Sequence, residues 1–183
     1  MVNVTTPLRI GALIFPGFTG LDLFGPLQAL NSGLSLQHPL TLSLLSTNMD
    51  PVSIDRPVLT GIVIGNASTF ASPDFTEYDL PTHTLDDAPE LDIIMVPDGG
   101  GTRNVSATQP HVDWLSERID PKTSKLKYLL TVCTGASLAA RTGHLAGRNA
   151  TTNKAAFNWV KTVEGADKVH WIAKARWVVD GNI

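Results

Sequence analysis

The sequence predicts an α/β fold in which helices cover both faces of a mostly parallel sheet. Apolar runs typical of buried strands alternate with helical patterns along the chain. Several of these runs end in short loops rich in Pro and Gly, which punctuate the strands. With 183 residues and 43% hydrophobic content, the chain is long and apolar enough for one continuous core. We therefore expect residues 1–183 to form a single domain.

The first half of the chain is predicted to contain two strands and a helix. Residues 8–15 (LRIGALIF) form the first strand, and residues 18–30 supply a turn and a helix with Pro26 in its first turn. Residues 40–46 (LTLSLLS) form the second strand. From there to Pro89, the spacing of Pro and Gly predicts a small hairpin and irregular loops.

The second half is predicted to add two buried strands, three helices and an extended end. These elements are strands at 91–96 and 128–132, helices at 110–119, directly after Cys133 and at 154–163, and an extended piece at 176–179. In open parallel sheets, ligands bind beyond the carboxyl ends of the strands. The loops that follow the first strand and the two buried strands should therefore meet at one edge.

Composition and charge exclude several classes of function. Fourteen basic and seventeen acidic residues give a net charge of −3. The Lys122, Lys125 and Lys127 scatter is interpreted as a solvated loop, so nucleic acid is not expected as a partner. No apolar run reaches the roughly 18 residues of a membrane span, and no basic lead precedes an apolar stretch. We expect a cytoplasmic protein without a membrane partner.

The cysteine and histidine content argues against a metal centre. With one cysteine, no intrachain disulfide forms, and the C-x-x-C pairs of zinc sites are absent. The five histidines show no ligand spacing, and each is expected at the surface or in a loop: His38, His83, His111, His144 and His170. We therefore expect no metal site.

Cys133 lies where a predicted strand turns into a predicted helix. The run YLLTV ends just before it, and Thr134-Gly135-Ala136-Ser137 has the composition of a helix start. Such a turn presents a side chain above the sheet edge, and the free N–H groups of a helix start favour a thiolate. The pattern predicts a nucleophile. The alternative is a small apolar residue that closes a core strand.

The same edge is predicted to hold an acid and anion-binding amides. The loop after the first strand brings Asp22, the loop after 91–96 brings the amides of Gly99 and Gly100, and the third brings Cys133 with the Thr134 amide. A nucleophile, an acid and paired N–H donors can attack an electrophilic carbon and stabilise the resulting anion. Two alternatives remain: the glycines form only a tight connection, and Asp22 caps the first helix.

Four segments resemble the ThiJ/PfpI superfamily, and most closely isonitrile hydratase and its fungal relatives. They are LIFPGFTGLDLFGPLQAL, IIMVPDGGGTR, LLTVCTGASLAARTGHLAGRNATTNKAAFNWV and RWVVDGNI. The resemblance implies the class I glutamine amidotransferase-like fold, a flavodoxin-like three-layer sandwich. It also implies a homodimer without metal or organic cofactor that converts an isocyanide, a small-molecule electrophile, to an N-substituted formamide.

The resemblance assigns roles residue by residue. Cys133 matches the nucleophile, Asp22 the acid, Thr134 the residue after the nucleophile, and Gly99 the glycine whose amide faces it. Thiolate and carboxylate repel each other, so one proton is expected to be shared between them or held by Asp22. Attack on the terminal isocyanide carbon then gives a thioimidate, which water converts to formamide. The Thr134 hydroxyl either bonds to Asp22 or serves only at the helix start.

The sequence departs from the family pattern at several positions. Asp98 stands where relatives have glycine and adds a carboxylate and a Cβ beside the site. Asn153 stands in place of a histidine, so no Cys–His dyad is expected. Arg103 is expected to pair with an exposed carboxylate or to bind an anionic substrate group. Relatives also continue past Ile183 with a further strand or loop and a helix, so we expect a shortened C-terminal element.

Two other functional classes stay open. A glyoxalase-like or other small-electrophile enzyme would use the same cysteine and acid, whereas a non-catalytic member would use Cys133 as a redox sensor or retain only ligand binding. In a pathway of secondary metabolism that makes isocyanides, a larger substrate would contact Phe18, Phe24 and Trp159. The alternative for these aromatic residues is a place in the core.

Overall fold

The computed structural model describes residues 6–54 and 77–182, in which strands and helices alternate. Short 3-10 turns are also present at Leu34–Leu36, Gly100–Arg103 and Ala166–Lys168. In chain order the strands and helices are β1 (Leu8–Leu13), α1 (Gly20–Gly33), β2 (Leu40–Ser46), β3 (Val52–Ser53), β4 (Tyr78–Asp79), β5 (His83–Thr84), β6 (Ile93–Val96), α2 (Val105–Ile119), β7 (Tyr128–Thr131), α3 (Gly135–Arg141), β8 (Asn149–Ala150), α4 (Phe157–Val160) and β9 (His170–Trp171).

The central sheet is parallel and has the strand order β5-β2-β1-β6-β7. β1 lies in the middle, with Ile10 opposite Leu42 of β2 on one side and Ile93 of β6 on the other. The chain moves in one direction from β1 to β2 and in the opposite direction from β6 to β7. Right-handed crossovers therefore place α1 and α2 on opposite faces of the sheet. This arrangement confirms the predicted α/β class.

The central strands are continuous apolar runs because elements cover both faces of the sheet and bury the side chains on each. All four residues of β6 are at most 5% exposed, as expected for a strand buried on both sides. α2 buries Val112, Leu115 and Ile119, which recur at helical spacing on one face. None of the described helices is long and apolar enough to cross a membrane.

Both longer helices begin earlier than predicted, which places a proline inside each of them. α2 begins at Val105, not at Pro110, because the Asn104 side chain accepts a hydrogen bond from the Ala107 N–H at 3.2 Å and caps the helix. α1 begins at Gly20, so Pro26 lies beyond the first turn in which we expected it. A proline lacks the N–H that an interior helical position donates.

Other predicted elements differ in extent. The helix predicted at 154–163 is reduced to Phe157–Val160, and the extended piece predicted at 176–179 forms no strand. In the region of the predicted hairpin, β3 and β4 form an antiparallel pair, and residues 55–76 between them lie outside the described residues. β5 adds an edge strand that the sequence did not indicate.

An ion-pair network ties together the amino ends of three strands. Arg9 is the second residue of β1, and its guanidinium lies 3.0 Å from the Asp92 carboxylate and 3.0 Å from the Glu90 carboxylate. Lys127, which precedes β7, lies 3.1 Å from the Asp92 carboxylate. The Arg9 hydrogen bond holds the pKa of the buried Asp92 carboxyl well below its usual range. Lys122, Lys125 and Lys127 are all exposed, as predicted for a solvated loop, and Lys127 in addition pairs with Asp92.

His111 also differs from its prediction, because it is buried and not at the surface. It lies on α2 with 1% of its surface exposed, and its Nε2 is 3.2 Å from the Ile14 carbonyl oxygen. Among the described residues, its Nδ1 has no hydrogen-bond partner. Burial lowers the pKa of this imidazole to about 4.

Candidate active site

Three ionisable side chains meet at the carboxyl edge of the sheet. Cys133 comes from the turn between β7 and α3, Asp22 from the first turn of α1, and Asp98 from the loop after β6. The Cys133 sulfur and one carboxylate oxygen from each aspartate lie within 4.8 Å of one another, and all three residues are half-buried. The structure thus brings together the predicted nucleophile and acid, and it adds a second carboxylate.

Cys133 lies in a strained turn that is held from several sides. Its φ of 56° makes it the one non-glycine residue with positive φ among residues 6–54 and 77–182. The Val132 N–H donates to the Val96 carbonyl at 2.9 Å, the Gly135 N–H donates to the Val132 carbonyl at 2.8 Å, and the Thr152 hydroxyl donates to the Cys133 carbonyl at 2.7 Å. The strand-to-helix turn predicted for a nucleophile is therefore present.

The protonation state of Cys133 is the opposite of the predicted one. Burial, together with a hydrogen bond to Asp98 and the charge of that carboxylate, raises the pKa of the Cys133 thiol to about 12. The Asn153 side chain and the Thr134 amide oppose this by favouring the thiolate, but they do not outweigh it. Since α3 has only seven residues, its start adds little positive potential. The resting group is a thiol, so the expectation of a thiolate is wrong.

Asp22 lies inside the helix and does not cap it. Thr19 occupies the N-cap position of α1, and the Asp22 amide donates to the Thr19 carbonyl at 3.1 Å. Burial, and next the charge of Asp98, raises the pKa of the Asp22 carboxyl. Asp22 therefore keeps a proton more readily than an exposed aspartate does.

Asp98 is the best-anchored of the three groups. Its Oδ1 accepts hydrogen bonds from the Thr134 hydroxyl and from the Gly99 N–H. The Thr134 hydroxyl thus donates to Asp98 and not to Asp22, so the predicted Thr134–Asp22 bond is wrong. The sequence predicts a carboxylate from Asp98 beside the site but assigns it no role.

The loops that carry Asp22 and Asp98 are joined through their backbones. The Thr19 N–H donates to the Asp98 carbonyl at 2.7 Å, and Phe18 forms an antiparallel bridge with Gly99. A Cβ at Gly99 would lie 2.1 Å from the Gly17 carbonyl oxygen, so this close approach requires glycine.

The amides predicted to bind an anion have different surroundings. The Gly99 N–H donates to Asp98, so it is already engaged. The Thr134 amide forms a hydrogen bond with the Cys133 sulfur. Among the described residues, no acceptor is recorded for the Gly100 N–H at the start of the 3-10 turn.

Several polar neighbours of the site were not predicted as functional residues. The Thr102 hydroxyl donates to the Gly99 carbonyl at 2.7 Å and lies 3.1 Å from the Thr134 hydroxyl. The Asn153 side chain interacts with Cys133 and accepts the Ala156 N–H at 3.0 Å. Asn153 is visible in the sequence because it stands in place of a histidine in the family pattern, but nothing in the sequence marks Thr102.

The aromatic residues considered as substrate contacts fall into different environments. Phe18 is fully buried, whereas Phe24 is 43% exposed on α1. The Arg103 guanidinium lies over the Trp159 ring, 4.5 Å from its centroid. Among the described ion pairs none involves Arg103, so it contacts a ring and not the carboxylate that we favoured.

In the part of the chain that the structure describes, Asp22, Asp98 and Cys133 are the one group whose spacing suits a metal ion. The raised pKa values of Asp22 and Cys133 mean that a metal would have to displace their protons. The donor set therefore fits proton transfer better than metal binding.

Comparison with known proteins finds one related sequence and several structures with a similar fold. No protein-family profile matches the chain. It is 31% identical over 176 residues to isonitrile hydratase from Pseudomonas putida, an alignment that covers 96% of this chain and 63% of that enzyme. The chain thus spans less than two thirds of the length of this relative.

Solved structures share the fold at lower sequence identity. A ThiJ/PfpI family protein from Pseudomonas syringae superimposes with a TM-score of 0.63 at 21% identity, covering 98% of this chain and 62% of that one. An AraC family transcriptional regulator from Pseudomonas putida gives 0.64 at 16% identity, covering 95% and 80%. At these identities the likeness concerns the fold alone.

Proposed function

We propose that this chain is a member of the ThiJ/PfpI superfamily and a hydro-lyase that adds water to an isocyanide to give an N-substituted formamide. The observation that carries the proposal is the placement of Cys133, in a strained turn, beside the acid Asp22. The likeness to isonitrile hydratase across 96% of the chain supports the reaction type.

The chemistry of an isocyanide suits these two groups. Its terminal carbon accepts a nucleophile and a proton, and the site offers a sulfur and a protonated carboxyl group. Attack by Cys133 forms a carbon–sulfur bond as its S–H bond breaks, Asp22 delivers a proton to the same carbon to give a thioimidate, and the thiol proton is retained by the carboxyl groups of the site. The hydroxyl of a water molecule then adds to that carbon while the nitrogen gains a proton. The carbon–sulfur bond breaks as the hydroxyl proton passes to sulfur, and the formamide leaves. With this activity we expect a homodimer that works without metal or organic cofactor.

The protonation state of Cys133 disfavours the redox-sensing alternative. Sensor cysteines are accessible and have a low pKa, because the thiolate is the species that oxidants attack. The pKa of the Cys133 thiol, raised to about 12, works against that chemistry. The glyoxalase-like alternative lacks its expected base, since Asn153 cannot accept a proton at neutral pH.

Incubation of the purified protein with a simple aryl isocyanide tests the proposal. We expect the formamide as product and, in trapped samples, a Cys133 adduct by intact mass. Cys133→Ala should abolish turnover, and Asp22→Asn should lower it about 10²- to 10⁴-fold, the usual contribution of an acid or base. Asp86→Asn makes the same substitution at an exposed position and should leave turnover unchanged.

Two results would contradict the proposal. One is a folded wild-type protein with an intact thiol that forms no formamide. The other is wild-type turnover in the Cys133→Ala variant. Lactate formation from methylglyoxal would instead support the glyoxalase-like alternative.

A further inference from the structure

The Asp98 carboxylate is a charged group at the site that the mechanism above does not use. It contacts both the Cys133 thiol and the Thr134 hydroxyl. We propose that Asp98 is the base of the reaction: it takes the thiol proton as the sulfur attacks, while Asp22 gives its own proton to the substrate carbon. This inference rests on the proposed function and adds a residue to it.

Hydrogen bonding identifies Asp98 as the group that carries the negative charge. Its Oδ1 accepts bonds from the Thr134 hydroxyl and the Gly99 N–H, and such donors stabilise a carboxylate. No described residue donates a recorded hydrogen bond to the Asp22 carboxyl group. The raised pKa values of Asp22 and Cys133 keep a proton on each of these two groups, and the charge of Asp98 contributes to both shifts.

No cation neutralises this charge among the described residues. The titratable groups that face Asp98 are Asp22 from α1 and Cys133 from the turn before α3. Asn153, from the segment after β8, is uncharged. The nearest cation along the loop, Arg103, is directed to the Trp159 ring at 4.5 Å. Asp98 therefore forms no ion pair with the described residues.

The steps balance in protons and charge. In the first, the sulfur–carbon bond forms, the thiol proton passes to Asp98 and the Asp22 proton passes to carbon. In the second, water gives one proton to Asp22 as its hydroxyl adds to carbon, and the nitrogen takes the Asp98 proton. Collapse then breaks the carbon–sulfur bond and passes the hydroxyl proton to sulfur. Asp98 ends charged, and Asp22 and Cys133 end protonated.

The arrangement also indicates the class of substrate. Since the Gly99 N–H is bound to Asp98, it is not available to stabilise an oxyanion. A site of two carboxyl groups and a thiol instead suits an uncharged electrophile that gains a proton when it is attacked. Isocyanides belong to this class, whereas anionic substrates would be repelled by Asp98.

The test measures the reactivity of the single cysteine and the turnover of the same variants. The cysteine is alkylated with iodoacetamide from pH 6 to 11, and formamide is assayed with an aryl isocyanide. Asp98→Asn keeps the shape and the acceptor oxygen but removes the charge. We expect alkylation at pH 8 to become at least about tenfold faster, because the thiol pKa falls. We expect turnover to fall about a hundredfold, because the base is lost.

A faster alkylation together with a slower turnover distinguishes a base from a merely structural residue. Loss of a structural residue would not raise one readout while it lowers the other. Asp22→Asn is the matched variant, and it should lose turnover while its alkylation profile shifts less than that of Asp98→Asn. Asp86→Asn should leave both readouts unchanged. An alkylation profile of Asp98→Asn that coincides with wild type, or wild-type turnover in that variant, would overturn the assignment. If wild type gives no formamide but the profile shifts, the proposed function fails and the charge of Asp98 stands.

Discussion

His111 is the residue through which mild acid is expected to destabilise the fold. In the native state burial lowers its pKa to about 4, whereas the unfolded chain has the ordinary value of 6.5. Above pH 6.5 both states are neutral and the full stability is present. Below pH 6.5 the imidazole of the unfolded chain binds a proton, whereas the buried imidazole of the native state stays neutral. The free energy of unfolding therefore falls as the pH is lowered from 6.5 towards 4.

Between pH 6.5 and 5 the free energy of unfolding should fall by about 2 kcal/mol for this residue. Urea unfolding at several pH values measures the slope. His111→Gln cannot take up a proton, so its free energy of unfolding should vary much less over this interval. An equally steep slope in the variant would assign the acid sensitivity to other groups.

At the scale of single residues, the sequence indicated positions better than proton affinities. Cys133 and Asp22 were predicted to meet because both follow strands of a parallel sheet, and they do meet. The pKa of Cys133 was predicted in the wrong direction because Asp98 and burial act through space. A carboxylate that follows a strand is visible in the sequence, but the atom it contacts is not.

At the scale of elements, the turn before α3 depends on the absence of a side chain at Gly135. A Cβ there would lie 2.4 Å from the Val96 carbonyl and 2.7 Å from the Pro97 carbonyl, and backbone atoms cannot move aside cheaply. Gly135→Ala should therefore lower the free energy of unfolding by about 1–3 kcal/mol, the usual cost of overpacking. Turnover should also fall, since this turn positions Cys133.

Gly33→Ala is the matched control for that substitution. Gly33 ends α1 in a helical conformation, and nothing lies within 4 Å of the added methyl group. Alanine there should raise the free energy of unfolding by up to about 1 kcal/mol. Thermal unfolding of both variants compares the two effects, and equal destabilisation would show that crowding at Gly135 is not the cause.

The ends of the elements were harder to predict than the elements themselves. A proline is typical of a first helical turn, so Pro26 and Pro110 suggested helix starts that lie several residues too late. The cap formed by Asn104 fixes the true start of α2. The two-residue strand β5 carries no periodic signal, because a pattern needs more residues than that.

At the scale of the whole molecule, the amino ends of the strands stabilise the fold and the carboxyl ends carry the candidate site. The amino ends carry the ion pairs of Asp92, and the carboxyl ends carry Cys133 with its acids. Asp92→Asn should lower the free energy of unfolding by about 1–3 kcal/mol, because it weakens the bonds of a buried group to Arg9 and Lys127. It should leave the alkylation profile of Cys133 unchanged.

Glu90→Gln is the control for the ion pairs, since the Glu90 side chain is 68% exposed. Its effect should stay within about 0.5 kcal/mol. Urea unfolding gives the stability, and iodoacetamide alkylation gives the reactivity. A shifted alkylation profile in Asp92→Asn would show that the two ends are coupled through the sheet.

The overall architecture could be predicted from the sequence because long apolar runs must be buried in the core. Strands buried on both faces need continuous apolar residues, as in β1 and β6, and this demand fixed the sheet. The short pairs β3–β4 and β8–β9 depend on contacts between distant segments and could not be predicted in this way.

The backbone bridge between the Phe18 and Asp98 loops has a consequence for how a substrate enters. Asp22 and Asp98 are carried on two loops that the Thr19–Asp98 hydrogen bond joins. The turn that carries Cys133 is joined to the Asp98 loop in turn, by the hydrogen bond from the Val132 N–H to the Val96 carbonyl and by the bond from the Thr134 hydroxyl to Asp98. A bulky substrate must therefore fit the spacing that these backbone contacts set between the sulfur and the two acids.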